Sequence, residues 1–260
     1  MIVATWNVNG LRAREQRLVE WLDARKPDVV CLQELKVKED ELDRAIFERA
    51  GYHAVAVGQA GWNGVAVLAR EEPRAVLREL DGAADLGARF VTARAAGLEV
   101  ASVYIPNGKT TKDPEFKGKL VWLERLARFI ESRTYEDAPF LLAGDFNVCT
   151  TDLDSYMGEK GRGTIFHTEQ ERALVGRITA AGLVDLFRAK YPTEPGFSWW
   201  DYRMGAFHRK LGMRLDLLFA SPPVARRVKD VFVDRDYRKK SKISGALPSD
   251  HAPVVAVLDD

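Results

Sequence analysis

Short apolar runs alternate along the chain with longer segments of helical spacing, and that alternation sets the expected elements. Ile2-Val3-Ala4-Thr5-Trp6 reads as a strand stopped by the turn-rich Asn7-Val8-Asn9-Gly10. Leu18, Val19 and Leu22 share one face of Leu11 to Arg25, which predicts an amphipathic helix ended by Pro27. Asp28 to Gln33 is a buried strand with Glu34 at its exit, and Glu39 to Arg49 a second helix. His53 to Val57 and Val65 to Ala69 flank Gly61-Trp62-Asn63-Gly64, whose Asn-Gly predicts a hairpin. Phe90 to Ala95 and Leu98 to Ile105 pair about Gly97, with Tyr104 near the end of the second strand.

A polar, basic loop is expected from Lys109 to Lys119. It runs into the longest helix, Glu115 to Arg133, whose Leu120, Leu123, Ala127 and Ile130 form one stripe. Phe140 to Ala143 is a central apolar strand, followed by Gly144-Asp145-Phe146-Asn147, with Gly144 expected to let the backbone turn where a side chain would crowd it. In extended backbone Asp145 and Asn147 point to the same side. The competing reading is a turn in which both bond local backbone. Thr150 to Gly163 reads as a charged surface loop and Glu169 to Ala181 as a helix. Phe197-Ser198-Trp199-Trp200-Asp201-Tyr202-Arg203 is an aromatic run that leads into a basic loop with Arg209, Lys210 and Arg214. Leu215 to Ala220, Val228 to Val233 and Val254 to Leu258 complete the strands, the last after Pro248-Ser249-Asp250-His251-Ala252-Pro253.

Asn7, Glu34 and Asp145 thus lie at the C-terminal exits of three strands, and Asp216, Asp250 and His251 at the starts of two others. They share an edge only if the strands run in opposite senses, and the hairpins independently require antiparallel pairs. The expected architecture is α/β, with two packed sheets and helices outside them, in one domain spanning residues 1–260. Clustered carboxylates repel one another unless protonated or bound to a cation. Oxygen ligands without partnered cysteines suit Mg²⁺ or Mn²⁺ better than zinc. Carboxylate, metal and a histidine held by another carboxylate would supply what phosphodiester hydrolysis requires. There is no Gly-x-Ser-x-Gly elbow, Walker loop or dinucleotide fingerprint.

A hydrophobic content of 46% and a charged content of 30% are those of an ordinary soluble globular protein. The net charge of +1 conceals a local bias: Asp201 to Lys242 carries 12 Lys/Arg against 5 Asp/Glu. That excess suits a polyanion. Met1 to Ala4 enters a strand directly, without a signal core, and no run approaches the ~20 apolar residues of a membrane span. Cys31 and Cys149 adjoin strand-like runs and suggest neither a disulfide framework nor a zinc site. A monomer in the reducing cytoplasm, away from membranes, is the expectation.

Five motifs then carry a resemblance: Trp6-Asn7-Val8-Asn9-Gly10-Leu11-Arg12, Leu32-Gln33-Glu34, Gly144-Asp145-Phe146-Asn147, Arg214-Leu215-Asp216 and Ser249-Asp250-His251-Ala252-Pro253. In this order, over essentially the whole chain, they resemble the exonuclease III family of DNA repair nucleases in the endonuclease/exonuclease/phosphatase superfamily. The resemblance implies a four-layer α/β sandwich, with two mixed, largely antiparallel sheets flanked by helices. It also implies Mg²⁺-dependent cleavage of duplex DNA at abasic sites, nicks or blocked 3′ ends, with Mn²⁺ as a substitute.

Roles follow from the same resemblance. Glu34 matches the principal metal ligand, with Asn7 beside it, and Asp250 a second carboxylate near the metal or leaving group. Asp145 matches the group that orients or deprotonates water, and Asn147 its partner on the phosphate. His251 matches a histidine on the scissile phosphate, Asp216 the carboxylate that holds its ring, and Tyr104 a phosphate-facing tyrosine. Trp199, Met213 and Leu215 fall where the family accommodates a flipped-out deoxyribose or the terminal nucleotide. Core packing is the alternative for either tryptophan; Trp199 is assigned to the pocket and Trp200 to packing. Arg203, Arg209 and Lys210 are expected on the DNA backbone.

Two departures matter. Asn9 stands where some relatives have an aspartate, which weakens a two-metal reading. Phe166 and His167 stand where efficient abasic endonucleases tend to have a small Gly before one aromatic, so they are expected to restrict the pocket and favour 3′ ends. Other readings are an inositol-phosphate or sphingomyelin phosphodiesterase, and a catalytically silent DNA-binding module. The basic excess beside Phe197 to Arg203 favours duplex DNA over the first. The second predicts tolerance of loss at Glu34, Asp145 and His251, all of which are present.

Overall fold

A computed structural model describes residues 1–259, apart from the side chain of Ala84. Its first half contains β1 (Ile2–Asn7), α1 (Leu11–Arg25), β2 (Val29–Gln33), α2 (Ala45–Arg49), β3 (His53–Val57), β4 (Val65–Ala69) and β5 (Arg74–Leu77). Then come β6 (Phe90–Ala95), β7 (Leu98–Tyr104), α3 (Pro114–Glu131), β8 (Phe140–Asp145), α4 (Glu169–Ala180), β9 (Val184–Asp185) and α5 (Leu186–Lys190). The last are β10 (Trp199–Trp200), β11 (Gly212–Met213), β12 (Asp216–Ala220), α6 (Pro222–Ala225), β13 (Val228–Val233) and β14 (Val254–Leu258).

Twelve of the strands form two six-stranded sheets, ordered β13-β14-β1-β2-β4-β3 and β5-β6-β7-β8-β12-β9. Each sheet holds one parallel pair, β1/β2 or β7/β8, among antiparallel neighbours. The crossovers are α1 and α3. Both parallel pairs therefore end their strands at the same rim, where polar side chains can converge.

The layers follow from burial on both faces of each sheet. Between the sheets, Val3, Cys31 and Val67 pack with Val91, Leu141 and Leu218. Trp6, Leu18, Trp21, Leu22 and Phe47 fill the space under α1 and α2. Trp122, Leu126, Val175 and Ile178 join α3 and α4 to Leu142 and Phe219. This is the expected four-layer sandwich. A polar line crosses its centre: Thr5 Oγ1 donates to Gln33 Oε1 at 3.1 Å, Gln33 Nε2 to Ser102 Oγ at 3.2 Å, and Ser102 Oγ to the Leu32 carbonyl at 3.1 Å. Every donor in that line finds an acceptor, so it fixes how one sheet sits on the other.

Several expectations change. The helix over Glu39 to Arg49 breaks into a 3₁₀ turn, Glu39–Glu41, and α2, because Leu42 is extended and Asp43 Oδ1 accepts from Ala45 N at 3.0 Å. The segment Thr150 to Gly163 is not simply a surface loop. Its Asp154 is fully buried and accepts from Arg214 Nε at 2.7 Å and Arg188 Nη2 at 2.5 Å. The polar loop before α3 stops at Asp113, whose side chain caps the helix at Glu115 N. On α3 the buried stripe takes Lys119, while Leu120 is only half-buried. Among the described residues, no helix is long and apolar enough to cross a membrane.

Candidate active site

The strand registers bring the polar residues to one rim. Asp145, the last residue of β8, lies opposite Tyr104 at the end of β7 and Asp216 at the start of β12. Gly144 is required for this approach: a Cβ there would run into the Val103 carbonyl oxygen of β7. Asn7 ends β1, Glu34 follows β2, and Asp250 and His251 precede β14. An isolated bridge between Trp199 and His251 ties the aromatic run to the same rim.

Asn7 sits at the junction of the two sheets. Its Nδ2 donates to Glu34 Oε1 at 2.8 Å and to Asp145 Oδ2 at 2.9 Å. Asn147 does not extend away from Asp145. At φ 49° it turns back, its backbone N–H on Asp145 Oδ1 at 2.9 Å and its Nδ2 on the Ile105 carbonyl at 3.0 Å. The two side chains converge through this turn, which bonds local backbone as in the turn reading while Asn147 Nδ2 also reaches Asp145 Oδ2 at 3.3 Å. His251 Nδ1 meets Asp216 Oδ2 at 2.8 Å, and Nε2 faces Asp145 Oδ2 at 3.7 Å.

Charge at the site follows from this packing. Burial pushes the Asp145 carboxyl up, to about 7, with nearby His251 opposing and Asp216 reinforcing the shift. Burial alone would lower His251, but Asp216 and Asp145 outweigh it and hold the imidazolium up to about 10. Burial would raise Glu34, yet Lys36 and Asn7 keep its carboxyl below the ordinary range. Asp250 is likewise held down against burial by His251, Trp199 and Asn9. Burial, with Glu34 and Asp145 nearby, pushes the Tyr104 phenol well above its usual value, so it remains a donor.

Asp145, Asp216 and His251 each offer a ligand atom within 4.8 Å of the others, the geometry of a cation site. The His251 Nδ1 bond to Asp216 engages one ring nitrogen, however, and the two carboxylates favour the imidazolium, a poor ligand, so this trio reads better as a hydrogen-bonded Asp216–His251 pair facing Asp145 across 3.7 Å. Glu34 fits a cation better. Its Oε2 already takes the Lys36 ammonium at 2.8 Å, which shows that a positive charge is favourable there, and the surrounding oxygens suit a hard ion. Asn9 links this cation side to Asp250, accepting from Lys36 Nζ at 2.6 Å and donating to Asp250 Oδ1 at 2.8 Å. A carboxylate at position 9 could not make that donation.

The aromatic run forms a neighbouring cavity of about 560 Å³, lined by Phe166, His167, Trp199, Arg203, Arg209 and Met213. Met213 is only 6% and Leu215 only 2% exposed, because Phe166 and Trp199 pack onto them. His167 is buried, with Nδ1 against the Ile165 carbonyl at 2.8 Å. Trp200 packs in the core against Phe207, as assigned. Arg203 is exposed and paired with Asp201 at 2.9 Å. Lys210 is not in this group: it lines a second cavity, of about 690 Å³, with Phe197, Trp200 and Arg235.

Sequence reasoning missed several supporting groups. Ser198 Oγ donates to Asp216 Oδ2 at 2.6 Å and accepts from Asp216 N at 3.1 Å, fixing the carboxylate that holds His251. Ser249 Oγ donates to the Asn7 carbonyl at 2.7 Å and accepts from His251 N at 3.2 Å. The Arg89 guanidinium stacks on Tyr104, 4.7 Å from the ring centroid. Ser249 and Ser198 lay inside segments already singled out, but neither was given a role; a lone arginine such as Arg89 in an apolar context carries no signal.

Comparison with known proteins agrees with this geometry. The profile of the Endonuclease/Exonuclease/phosphatase family matches residues 4–251. Exodeoxyribonuclease III of Haemophilus influenzae is 34% identical over 270 residues, with 97% of each chain covered. The 3′ phosphatase NExo from Neisseria, solved with a product DNA hairpin, is 36% identical and aligns over 100% of both chains with a TM-score of 0.94. An AP endonuclease from Archaeoglobus fulgidus matches with the same identity, coverage and TM-score. With a family profile over nearly its whole length and an end-to-end exodeoxyribonuclease relative, this chain belongs to the endonuclease/exonuclease/phosphatase family, in its exonuclease III group.

Proposed function

We propose that this chain is a Mg²⁺-dependent DNA repair nuclease for which 3′ ends of duplex DNA, at nicks and blocked termini, rival or exceed abasic sites as substrates. The chain is a phosphodiester hydrolase of the exonuclease III and AP endonuclease kind. The observation that carries the reading is the convergence of Asp145, the Asp216–His251 pair and Glu34 at one rim, beside a cavity walled by aromatic residues.

The residues divide the work. A divalent ion, when bound, would neutralise the non-bridging oxygens and lower the pKa of an attacking water. Glu34 and Asp250 are the carboxylates to hold it, and Asn7 orients Glu34 and Asp145 through its amide N–H groups. Asp145, with its raised pKa, is suited to accept a proton from water near neutral pH. His251, kept cationic by Asp216, offers charge to the scissile phosphate, and Tyr104 and Asn147 offer neutral donors. These groups are aimed before substrate arrives, which is where electrostatic catalysis gains most.

The preference for ends is supported by the pocket wall. Phe166 and Trp199 already cover Met213 and Leu215, the residues expected to receive a flipped deoxyribose, and the buried His167 lines the same cavity. A terminal nucleotide, free of duplex on one side, would need less of that surface. Work in the cytoplasm as a monomer belongs to the same proposal; the free, buried thiols of Cys31 and Cys149 agree with reducing surroundings. One assay tests both parts: a duplex with an internal abasic analogue against a duplex with a 3′-phosphate nick, each with Mg²⁺ and with EDTA. Much faster internal incision rejects the preference, and cleavage that survives EDTA rejects the metal.

A further inference from the structure

We propose that the buried Lys119–Glu171 ion pair is a positioning element that couples the pocket wall to the phosphate-facing amide and so sets both turnover and substrate choice. The inference rests on the functional reading above. Both side chains are 0% exposed, and Lys119 Nζ lies 2.5 Å from Glu171 Oε1. Lys119 reaches inward from α3, and Glu171 stands in the first turn of α4.

Each partner also holds a residue of the site. Lys119 Nζ donates to the Asn147 carbonyl at 2.6 Å, and more weakly to the Asn107 carbonyl at 3.3 Å. It sits 4.7 Å from the centre of the Phe166 ring. Glu171 Oε1 accepts from Phe166 N at 3.1 Å. Asn147 and Phe166 are both left-handed, at φ 49° and 70°; asparagine adopts that conformation readily, but a bulky aromatic residue holds it only when its surroundings impose it. One ion pair thus grips two left-handed backbones, one beside Asp145 and one, the strained Phe166, in the pocket wall.

Two simpler explanations cover less. Glu171 does close a capping box, with Oε2 accepting from Thr168 N at 3.0 Å and Thr168 Oγ1 at 2.7 Å. That role uses one oxygen and leaves the contacts to Lys119 and Phe166 unexplained. Stability is no better an account, since well-packed apolar side chains often match or exceed a buried ion pair. What an apolar pair cannot do is hold the Asn147 carbonyl and the Phe166 N–H at fixed points.

The test compares the parent with Lys119→Met/Glu171→Gln, which removes both charges and keeps a cap acceptor, and with Glu171→Gln alone. Thermal unfolding, amide exchange at Phe166 and steady-state kinetics on the nicked 3′-phosphate and internal abasic duplexes are measured for all three. We expect the double variant to remain folded, with faster exchange at Phe166. Its kcat on the 3′-phosphate duplex should fall at least ~10-fold with KM nearly unchanged, and the ratio of abasic to 3′ cleavage should shift by a similar factor. Glu171→Gln should move the same quantities less. A folded double variant with parental kcat, ratio and exchange overturns the inference. So does a double variant that cannot fold, because the pair would then be structural. A parent inactive on both duplexes, with Phe166 exchange still altered in the variants, would instead overturn the functional reading.

Discussion

The Trp199 indole N–H donates to Asp250 Oδ2 at 2.9 Å, so one side chain is at once a wall of the aromatic cavity and a brace for an acidic group of the site. Trp199→Phe keeps the wall and removes the brace. We expect the Mg²⁺ concentration for half-maximal activity to rise about 10-fold, the scale of an outer partner of a metal site. A metal titration of the variant that overlays the parent's would show that Asp250 needs no such support.

Asp145→Asn and His251→Asn should each lower turnover by at least ~10²-fold with only a modest loss of DNA affinity, since both act where charge develops. Single-turnover rates and equilibrium binding separate the two effects. Near-parental turnover in either variant contradicts its assigned role.

The pH profile has a predictable sign. Activity should rise with pH as Asp145 loses its proton, with the limb at or below about 7 because a cation at Glu34 favours the carboxylate. It should fall again as His251 loses its proton, toward about 10. Burial acts to lower His251, and Asp216 is the strongest group holding it up, so Asp216→Asn should move the descending limb toward lower pH. A descending limb that stays in place in that variant would falsify the cationic role of His251.

Asp154 makes a separate prediction about acid stability. Burial acts to raise it, but Arg214 and its other donors overcome burial and bring the carboxyl down to about 2 from an ordinary 3.8. The folded value is depressed, so the stabilisation is complete above about pH 4 and is lost as pH falls through about 2. It amounts to about 2 kcal/mol. Denaturant melts of parent and Asp154→Asn at pH 6 and pH 3 should show a gap that narrows in acid. A gap independent of pH would mean the carboxylate charge is not what matters.

Salt dependence separates the basic residues. Arg209 lines the cavity beside the site, whereas Lys210 lines the neighbouring one. Arg209→Ala should reduce the slope of log affinity against log salt by about one, and Lys210→Ala should leave it unchanged. Equal effects would put both side chains on phosphate.

The convergence of the candidate site residues was legible because most of them end or begin an apolar run. Asn7, Glu34, Asp145 and Asp216 each mark the place where a continuous buried strand meets polar residues, and that boundary is a local property of sequence. What stayed hidden depended on partners far along the chain. Lys119 reads as the end of a basic loop until Glu171, from another helix, makes its burial tolerable. Asp154 reads as loop polarity until Arg214 and Arg188 arrive. The two-residue strands β10 and β11 are too short to show alternation, yet they carry Trp199 and Met213. Gly144 was singled out correctly as a place where a side chain would crowd, but the crowding comes from Val103 on the adjacent strand rather than from a turn.

The polar line from Thr5 through Gln33 to Ser102 has a consequence for the cell. Asn7 ends a strand of one sheet, with Glu34 and His251 in loops next to strands of that sheet; Tyr104, Asp145 and Asp216 lie in the other, and that line sets how the two are stacked. A molecule with only one sheet assembled holds an incomplete set of the groups proposed to cleave DNA. A potentially harmful scissor is thereby kept blunt until both blades have been joined.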